Sequence, residues 1–258
     1  MTVLILFDVD GTLTVSGQKI CCDMILKLEE LSKLKNIHIG IVGGSDFKKQ
    51  EEQLGKDILL LFKWIFSENG LVSMYEGREI NKESIVNKLG NNHFTELINI
   101  CLLELSKTKN PIKRGNFIQH RNGIVNVSPI GRSCTLSERK DFYDKDNTHK
   151  WREDLITRIK NKWVKYKWFN NYENLTDLDF SIGGQISIDI FPVGWDKTFC
   201  LSFVKNKYDL IYFFGDKTFE GGNDYKICNH PIVKGYTVKS PNDTIKYINQ
   251  LFIKHDNI

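Results

Sequence analysis

The feature that most constrains this chain is an apolar run that ends in two carboxylates. Val3-Leu4-Ile5-Leu6-Phe7 leads straight into Asp8-Val9-Asp10-Gly11-Thr12-Leu13-Thr14. An uninterrupted apolar run of this length predicts a strand buried on both faces, as in a parallel sheet covered by helices. Side chains alternate along a strand, so Asp8 and Asp10 project to the same side at its end. Gly11 and Thr12 then turn the chain where backbone N–H groups can meet an anion. A carboxylate nucleophile beside a second carboxylate that handles protons is a layout suited to phosphoryl transfer. An isolated Asp-x-Asp more often just opens a turn; the apolar lead-in and the Gly-Thr-Leu-Thr continuation favour the chemical reading.

The remaining sequence places more strand ends beside the first. A helix is expected near 21–35, with Met24, Leu28, Leu31 and Leu34 on one face, then a strand over 37–42 closed by Gly43-Gly44. Ser45 and Asp46 stand where a helix N-cap belongs, so Ser45 offers a hydroxyl beside fresh backbone donors, a phosphate site. Later, an apolar strand over 209–214 ends in Gly215-Asp216, followed by Gly221-Gly222-Asn223-Asp224. Ligands of open parallel sheets gather at the carboxyl ends of the strands. Asp216 can therefore meet Asp8 and the Asp10 carbonyl around a hard, oxygen-ligated Mg²⁺. Lys197, in Gly194-Trp195-Asp196-Lys197, is placed to offset charge on a transferring phosphoryl group.

Between these α/β segments the texture changes to α+β. A helix near 94–107, short strands at 116–120 and 124–128, a long charged helix over 149–167 and an alternating strand over 185–191 predict a mostly antiparallel inserted domain. Arg114, Arg121, Arg132 and Arg139 recur through its loops, a pattern that suits bidentate binding of a second phosphate or simply a soluble surface. The stretch from Lys150 to Phe169 is basic with interleaved aromatics. Trp151, Leu155, Ile159, Trp163 and Tyr166 recur at helical spacing, however, so one face is core and the lysines fall on the solvated side.

Composition excludes several classes. The chain has 258 residues, 41% hydrophobic and 26% charged, with a net charge of +4. That is a globular composition that permits anionic substrates without demanding nucleic acid. No apolar run reaches the ~18 residues of a membrane span. The N-terminus enters the first strand at once, so neither a signal nor a transit peptide is expected. The six cysteines show no metal-ligand spacing, and scattered reduced thiols in a cytoplasmic protein are the expectation.

With these residues laid out, the chain resembles the eukaryotic phosphomannomutase family of the haloacid dehalogenase (HAD) superfamily. FDVDGTLT, GIVGGSDF, SENGLV, FIQHRNGIVNVSPIGRSC, FSIGGQISIDIFPVGWDK and YFFGDKTFEGGND stand in family order. The resemblance implies a HAD-like Rossmannoid parallel-sheet core at 1–81 and 190–258, and an inserted α+β cap at 82–189 for specificity and dimerisation. It implies that Asp8 is the nucleophile and Asp10 the general acid/base, and that the Asp8 side chain, the Asp10 carbonyl and Asp216 ligate Mg²⁺. Ser45 and Lys197 match phosphate-binding positions, and Arg121, Arg132, Arg139, Ser187 and Asp189 match positions that hold the sugar phosphate. The implied activity interconverts mannose 6-phosphate and mannose 1-phosphate through an aspartyl phosphate, primed by a hexose 1,6-bisphosphate, and supplies GDP-mannose synthesis. A homodimer through the cap is implied, with small-molecule hexose phosphates as partners and neither nucleic acid nor membrane. The alternatives are a HAD-type sugar phosphatase or hexose bisphosphatase, and a non-catalytic binder using the 150–169 helix.

Two departures from the family pattern bear on the site. Gly17 stands where the family usually has a substrate-contacting Arg, which throws the charge onto Lys19 or the cap arginines. His230-Pro231-Ile232-Val233 replaces Asp-Pro-Arg-Thr, removing a carboxylate from a second, structural cation site.

Overall fold

The computed structural model describes residues 1–109 and 112–253. In chain order the strands are β1 (Val3–Phe7), β2 (Ile37–Val42), β3 (Trp64–Ser67), β4 (Val72–Tyr75), β5 (Arg78–Lys82), β6 (Ile118–His120), β7 (Val125–Val127), β8 (Leu178–Gly183), β9 (Ser187–Pro192), β10 (Leu210–Gly215) and β11 (Val233–Thr237). The helices are α1 (Cys22–Ser32), α2 (Phe47–Leu54), α3 (Lys56–Leu59), α4 (Ile85–Leu89), α5 (Asn91–Ser106), α6 (Leu136–His149), α7 (Trp151–Phe169), α8 (Leu201–Val204), α9 (Tyr225–Cys228) and α10 (Pro241–Ile248). They divide into two compact units, Met1–Lys82 with Trp195–Ile258, and Glu83–Gly194. Residues 110, 111 and 254–258, which fall within the expected cap and core, lie outside the described residues.

The first unit is built on a seven-stranded sheet in the order β11-β10-β1-β2-β3-β4-β5. β1 is parallel to β10 on one side and to β2 on the other. Its alternation feeds two cores. Ile5 and Phe7 join Met24, Leu28 and Leu31 of α1 on one face, while Leu4 and Leu6 join Leu201 and Val204 of α8 on the other. Helices on both faces explain why the run is apolar at every position. The sheet is not wholly parallel, however: β4 pairs antiparallel with β3, and β5 antiparallel with β4. Glu76 and Gly77, both at positive φ (47° and 75°), form the two-residue turn of that hairpin.

The second unit carries a four-stranded antiparallel sheet, β6-β7-β9-β8. β9 pairs with β8 as far as Leu178 opposite Pro192. Residues 190–194 therefore stay with this unit, and the core resumes at Trp195 rather than at 190. Lys82 likewise closes β5 of the core sheet. The charged helix expected over 149–167 is α7, which buries Leu155, Ile159 and Trp163 and leaves Lys160, Lys162 and Lys165 exposed. A second helix, α6, precedes it and turns into it at Lys150, whose φ of 56° is left-handed. Between the two helices lies a buried ion pair. Asp146 accepts from the Arg152 side chain at 2.6 Å and from its backbone N at 3.0 Å.

Candidate active site

The site of the first unit is assembled at the carboxyl ends of β1, β2 and β10, as the topology of a parallel sheet requires. Asp8 follows β1, with its backbone N donating to the Phe214 carbonyl of β10 at 2.9 Å. The side chain is buried. Gly11 holds φ at +84°, and a Cβ there would overlap the Asp216 carboxylate, so the turn that carries Asp10 away also makes room for Asp216.

Lys197 is buried to 1% exposure, an arrangement tolerated for an ammonium only when it is paired. Its Nζ donates to the Asp8 carboxylate and to Asp224 Oδ1, the latter at 2.6 Å. Asp196 caps the turn that carries Lys197, accepting from Thr198 N at 2.9 Å. Burial works against the lysine charge, but Asp8 and Asp224 outweigh it and hold the ammonium above the ordinary lysine range. Burial lifts the Asp8 carboxyl, Lys197 draws it down and Asp224 lifts it again, leaving it pushed up to about 7.

Asp8, Asp216 and Asp224 each bring an oxygen within 4.8 Å of the others. Three carboxylates meet one ammonium in a poorly hydrated place, so full ionisation would leave a negative excess. An all-oxygen donor set with that excess matches a hard divalent cation. Asp216 fits the same reading: burial raises its carboxyl above the usual range, and its Oδ1 is buried without a hydrogen-bond partner. Asp224 was absent from the sequence-based ligand set, where Asp10 was expected to contribute its carbonyl. The Gly221-Gly222-Asn223-Asp224 run after the end of β10 was noted in the sequence without a ligand role; the fold brings Asp224 back to the site, where it accepts from Lys217 N at 3.1 Å.

Asp10 points elsewhere. Its Oδ1 accepts from Gly17 N at 2.7 Å and from Gln53 Nε2 at 2.8 Å, and Lys49 Nζ lies 3.4 Å from Oδ2. Burial works to raise this carboxyl, but these donors outweigh it and hold it below the usual carboxylate range. Gly17, with φ of +74°, thus contributes its N–H to Asp10, and Lys49 is a cation beside the same carboxylate. The helix cap after β2 is Asp46, which accepts from Lys49 N at 2.8 Å; Ser45 lines a cleft of about 110 Å³ together with Asp8, Asp10, Gln53 and Asn223.

The second unit gathers its own polar group. Asn126 Nδ2 donates to Asp189 at 2.6 Å and to Ser187 Oγ at 2.9 Å, while Arg132 donates to Asn126 Oδ1 at 2.7 Å. Burial, then the charges of Arg121 and Arg139, press the Arg132 guanidinium below its ordinary range, so these arginines form one crowded positive cluster. Arg139 Nε is buried without a partner. Burial raises the Asp189 carboxyl despite the Asn126 bond. Asn126 is a further residue the sequence did not single out. Arg114 is not part of the cluster and pairs with Glu138 at 2.5 Å. His230 lies apart from the acidic cluster, its ring accepting from Ile232 N at 3.4 Å.

The model of eukaryotic phosphomannomutases matches residues 27–254. The chain belongs to the eukaryotic phosphomannomutase family. It is 48% identical over 250 residues to a phosphomannomutase of Galdieria sulphuraria, covering 96% of this chain and 94% of that one. It is 43% identical to one from Triticum aestivum (97% and 96% covered) and 44% identical to phosphomannomutase 1 of Dictyostelium discoideum (96% of each). Among solved structures, a Plasmodium falciparum IMP-nucleotidase superposes with a TM-score of 0.63 at 17% identity, covering 98% of this chain and 67% of that one. An Aspergillus fumigatus trehalose-6-phosphate phosphatase gives 0.54 at 15%, covering 96% and 92%. These likenesses show the fold: a HAD-like Rossmannoid core with an inserted α+β domain.

Proposed function

We propose that this phosphomannomutase family member interconverts mannose 6-phosphate and mannose 1-phosphate, with Asp8 as nucleophile. The observation that carries the reading is the buried Asp8–Lys197–Asp224 group at the end of β1, with Asp10 in a separate hydrogen-bond environment beside it. A carboxylate nucleophile yields an acyl phosphate reactive enough to pass its phosphoryl group onward. Lys197 offsets charge on the phosphoryl oxygens, and Ser45 donates to them. Asp10 gives a proton to the departing sugar oxygen and takes one from the attacking hydroxyl in the return direction. Mg²⁺ is the cation that Asp8, Asp216 and Asp224, with the Asp10 carbonyl, would hold, and when bound it supplies further charge compensation at the phosphoryl group.

The second unit, as we read it, acts as the cap. Arg121, Arg132 and Arg139, with Ser187 and Asp189, bind the phosphate that is not being transferred and the sugar that carries it. A hexose 1,6-bisphosphate primes Asp8 and is the intermediate that turns end for end. The same unit is our candidate for a homodimer interface, since it exposes Leu102 and Leu103 on α5 and Val164, Trp168 and Phe169 on α7. The six cysteines are free, and a reducing cytoplasm, where the product feeds GDP-mannose synthesis, is the compartment we assign. Among the described residues no helix is long and apolar enough to cross a membrane.

Turnover of mannose 1-phosphate with Mg²⁺, with and without glucose 1,6-bisphosphate, tests the reading. Bisphosphate-stimulated mannose 6-phosphate with little free phosphate is expected. Dominant phosphate release would replace the mutase reading with that of a sugar phosphatase.

A further inference from the structure

Asp10 is gripped unequally at its two oxygens, and the grip comes from one helix face and one loop. Lys49 and Gln53 stand one turn apart on α2, so their side chains leave the same face. Gln53 is buried to 6% exposure, and its Nε2 donates to Asp10 Oδ1 at 2.8 Å. The Gly17 N–H reaches the same oxygen at 2.7 Å. Oδ2 meets the half-exposed Lys49, at 3.4 Å. Gln53 Oε1, at the other end of the amide, is buried without a partner. A buried amide normally satisfies both ends, so this side chain is placed by what its nitrogen does.

We propose that Gln53 is a positioning residue for Asp10: with the Gly17 N–H it saturates Oδ1 and turns Oδ2 toward the sugar oxygen. This rests on the mutase reading above. Two fixed N–H donors occupy Oδ1, so Oδ2 is the oxygen left to exchange a proton with the sugar. As the Asp8 carboxylate bonds to phosphorus and the bond from phosphorus to the sugar oxygen breaks, the Oδ2 proton passes to that oxygen. In the return direction Oδ2 takes the proton of the attacking hydroxyl as the new phosphorus–oxygen bond forms and the bond from phosphorus to Asp8 breaks, and Asp10 is restored. In this proposal Gln53 acts through Asp10, although it lines the same cleft as Ser45 and Asp8. Gln53 also ties down the 17–20 loop: its Nε2 donates weakly to the Gln18 carbonyl at 3.4 Å, and its backbone carbonyl accepts from Ile20 N at 2.9 Å. A merely structural role is therefore the competing account, and the test must separate the two.

Gln53→Met keeps the length of the side chain and removes its donor; Gln53→Leu is the second variant should the first fold poorly. Each is made alone and with Asp10→Asn, and kcat and KM are measured for mannose 1-phosphate with Mg²⁺ and glucose 1,6-bisphosphate. Displacing an acid/base by a fraction of an ångström predicts a fall in kcat of about ten- to hundred-fold with KM within about twofold. In the Asp10→Asn background the same change is expected to cost nothing further, because the group it positions is already disabled. A Gln53 variant with near wild-type kcat, or one that loses the same factor with and without Asp10, overturns the proposal while leaving the acid/base reading in place. Full turnover in Asp10→Asn alone overturns the acid/base reading and this proposal with it.

Discussion

The two units concentrate opposite charge, and by different means. In the first, three carboxylates crowd one buried ammonium at the ends of parallel strands, and the imbalance is negative. In the second, arginines from loops and a helix crowd around Asp189, Ser187 and Asn126 on an antiparallel sheet, and the imbalance is positive. A negative excess in a dry place calls for a cation, and a positive excess calls for an anion. A phosphorylated sugar with a second phosphate to exchange needs both kinds of site. On the proposed function, the first would hold the reacting group at rigid strand ends, and the second the phosphate that stays on the sugar.

The comparison breaks most sharply at Asp8. Asp8→Asn should lower mutase turnover by a factor on the order of 10⁴ or more while leaving the thermal midpoint close to wild type; retained turnover would remove the nucleophile from the first site. Next comes the cation. Chelation or Asp216→Ala should abolish turnover, and Mg²⁺ at a hundred times its dissociation constant should stabilise the wild type by about 2.7 kcal/mol. A thermal midpoint indifferent to Mg²⁺ would deny the negative site its ligand.

The buried pair of the second unit supplies the third test. Asp146→Asn leaves the Arg152 guanidinium buried and unpaired, which should cost about 3–5 kcal/mol of that unit's stability, read by calorimetry. Arg132→Ala should raise KM by about ten- to hundred-fold with a smaller effect on kcat; unchanged KM would take Arg132 out of substrate binding. The smallest effect is a pH dependence at Glu104, which is buried against Lys107 at 2.7 Å and Arg158 at 2.7 Å. Burial opposes its charge, but those bonds prevail and hold the carboxyl below its usual range. Its folded value is thus lower than its unfolded one. The stability it contributes is present above the ordinary glutamate range and lost as pH falls through the depressed value. Glu104→Gln should flatten the acid limb of the midpoint-versus-pH curve, and an unchanged limb would refute the pairing.

The two regions were also unequally legible. β1, β2 and β10 announce themselves because a parallel strand buried on both faces is apolar throughout, and the carboxylates that end such strands stand out. The β4–β5 hairpin was missed because its strands are short and β5 is mostly exposed, leaving only the Glu76-Gly77 turn as a signal. Helix α6 was missed for a similar reason: it buries only Phe142 and Asp146, so no apolar stripe marks it. Its start was readable in Thr135-Leu136-Ser137-Glu138, a capping box in which Thr135 Oγ1 accepts from Glu138 N and Glu138 accepts from Thr135 N. Gln53 and Asn126 were beyond local pattern altogether, and Asp224, though it ends the quoted Gly221-Gly222-Asn223-Asp224 run, carried no local sign of its pairing with Lys197. Each acquires its role from a partner far along the chain, as Gln53 does from Asp10.

The same long reach sets the order in which the protein can be finished. Thr2 and Asp209, 207 positions apart, are hydrogen-bonded where β1 begins beside β10. At roughly 5–20 residues per second, a ribosome takes about 10–40 s to make the chain between them. Through that interval β1 has emerged with one whole hydrogen-bonding edge unmatched, while the inserted unit is complete before β10 arrives. An apolar strand with a bare edge is the surface that chaperones bind and aggregates grow from. The insertion that gives this molecule its positive site therefore also sets how long its central strand must wait for a neighbour.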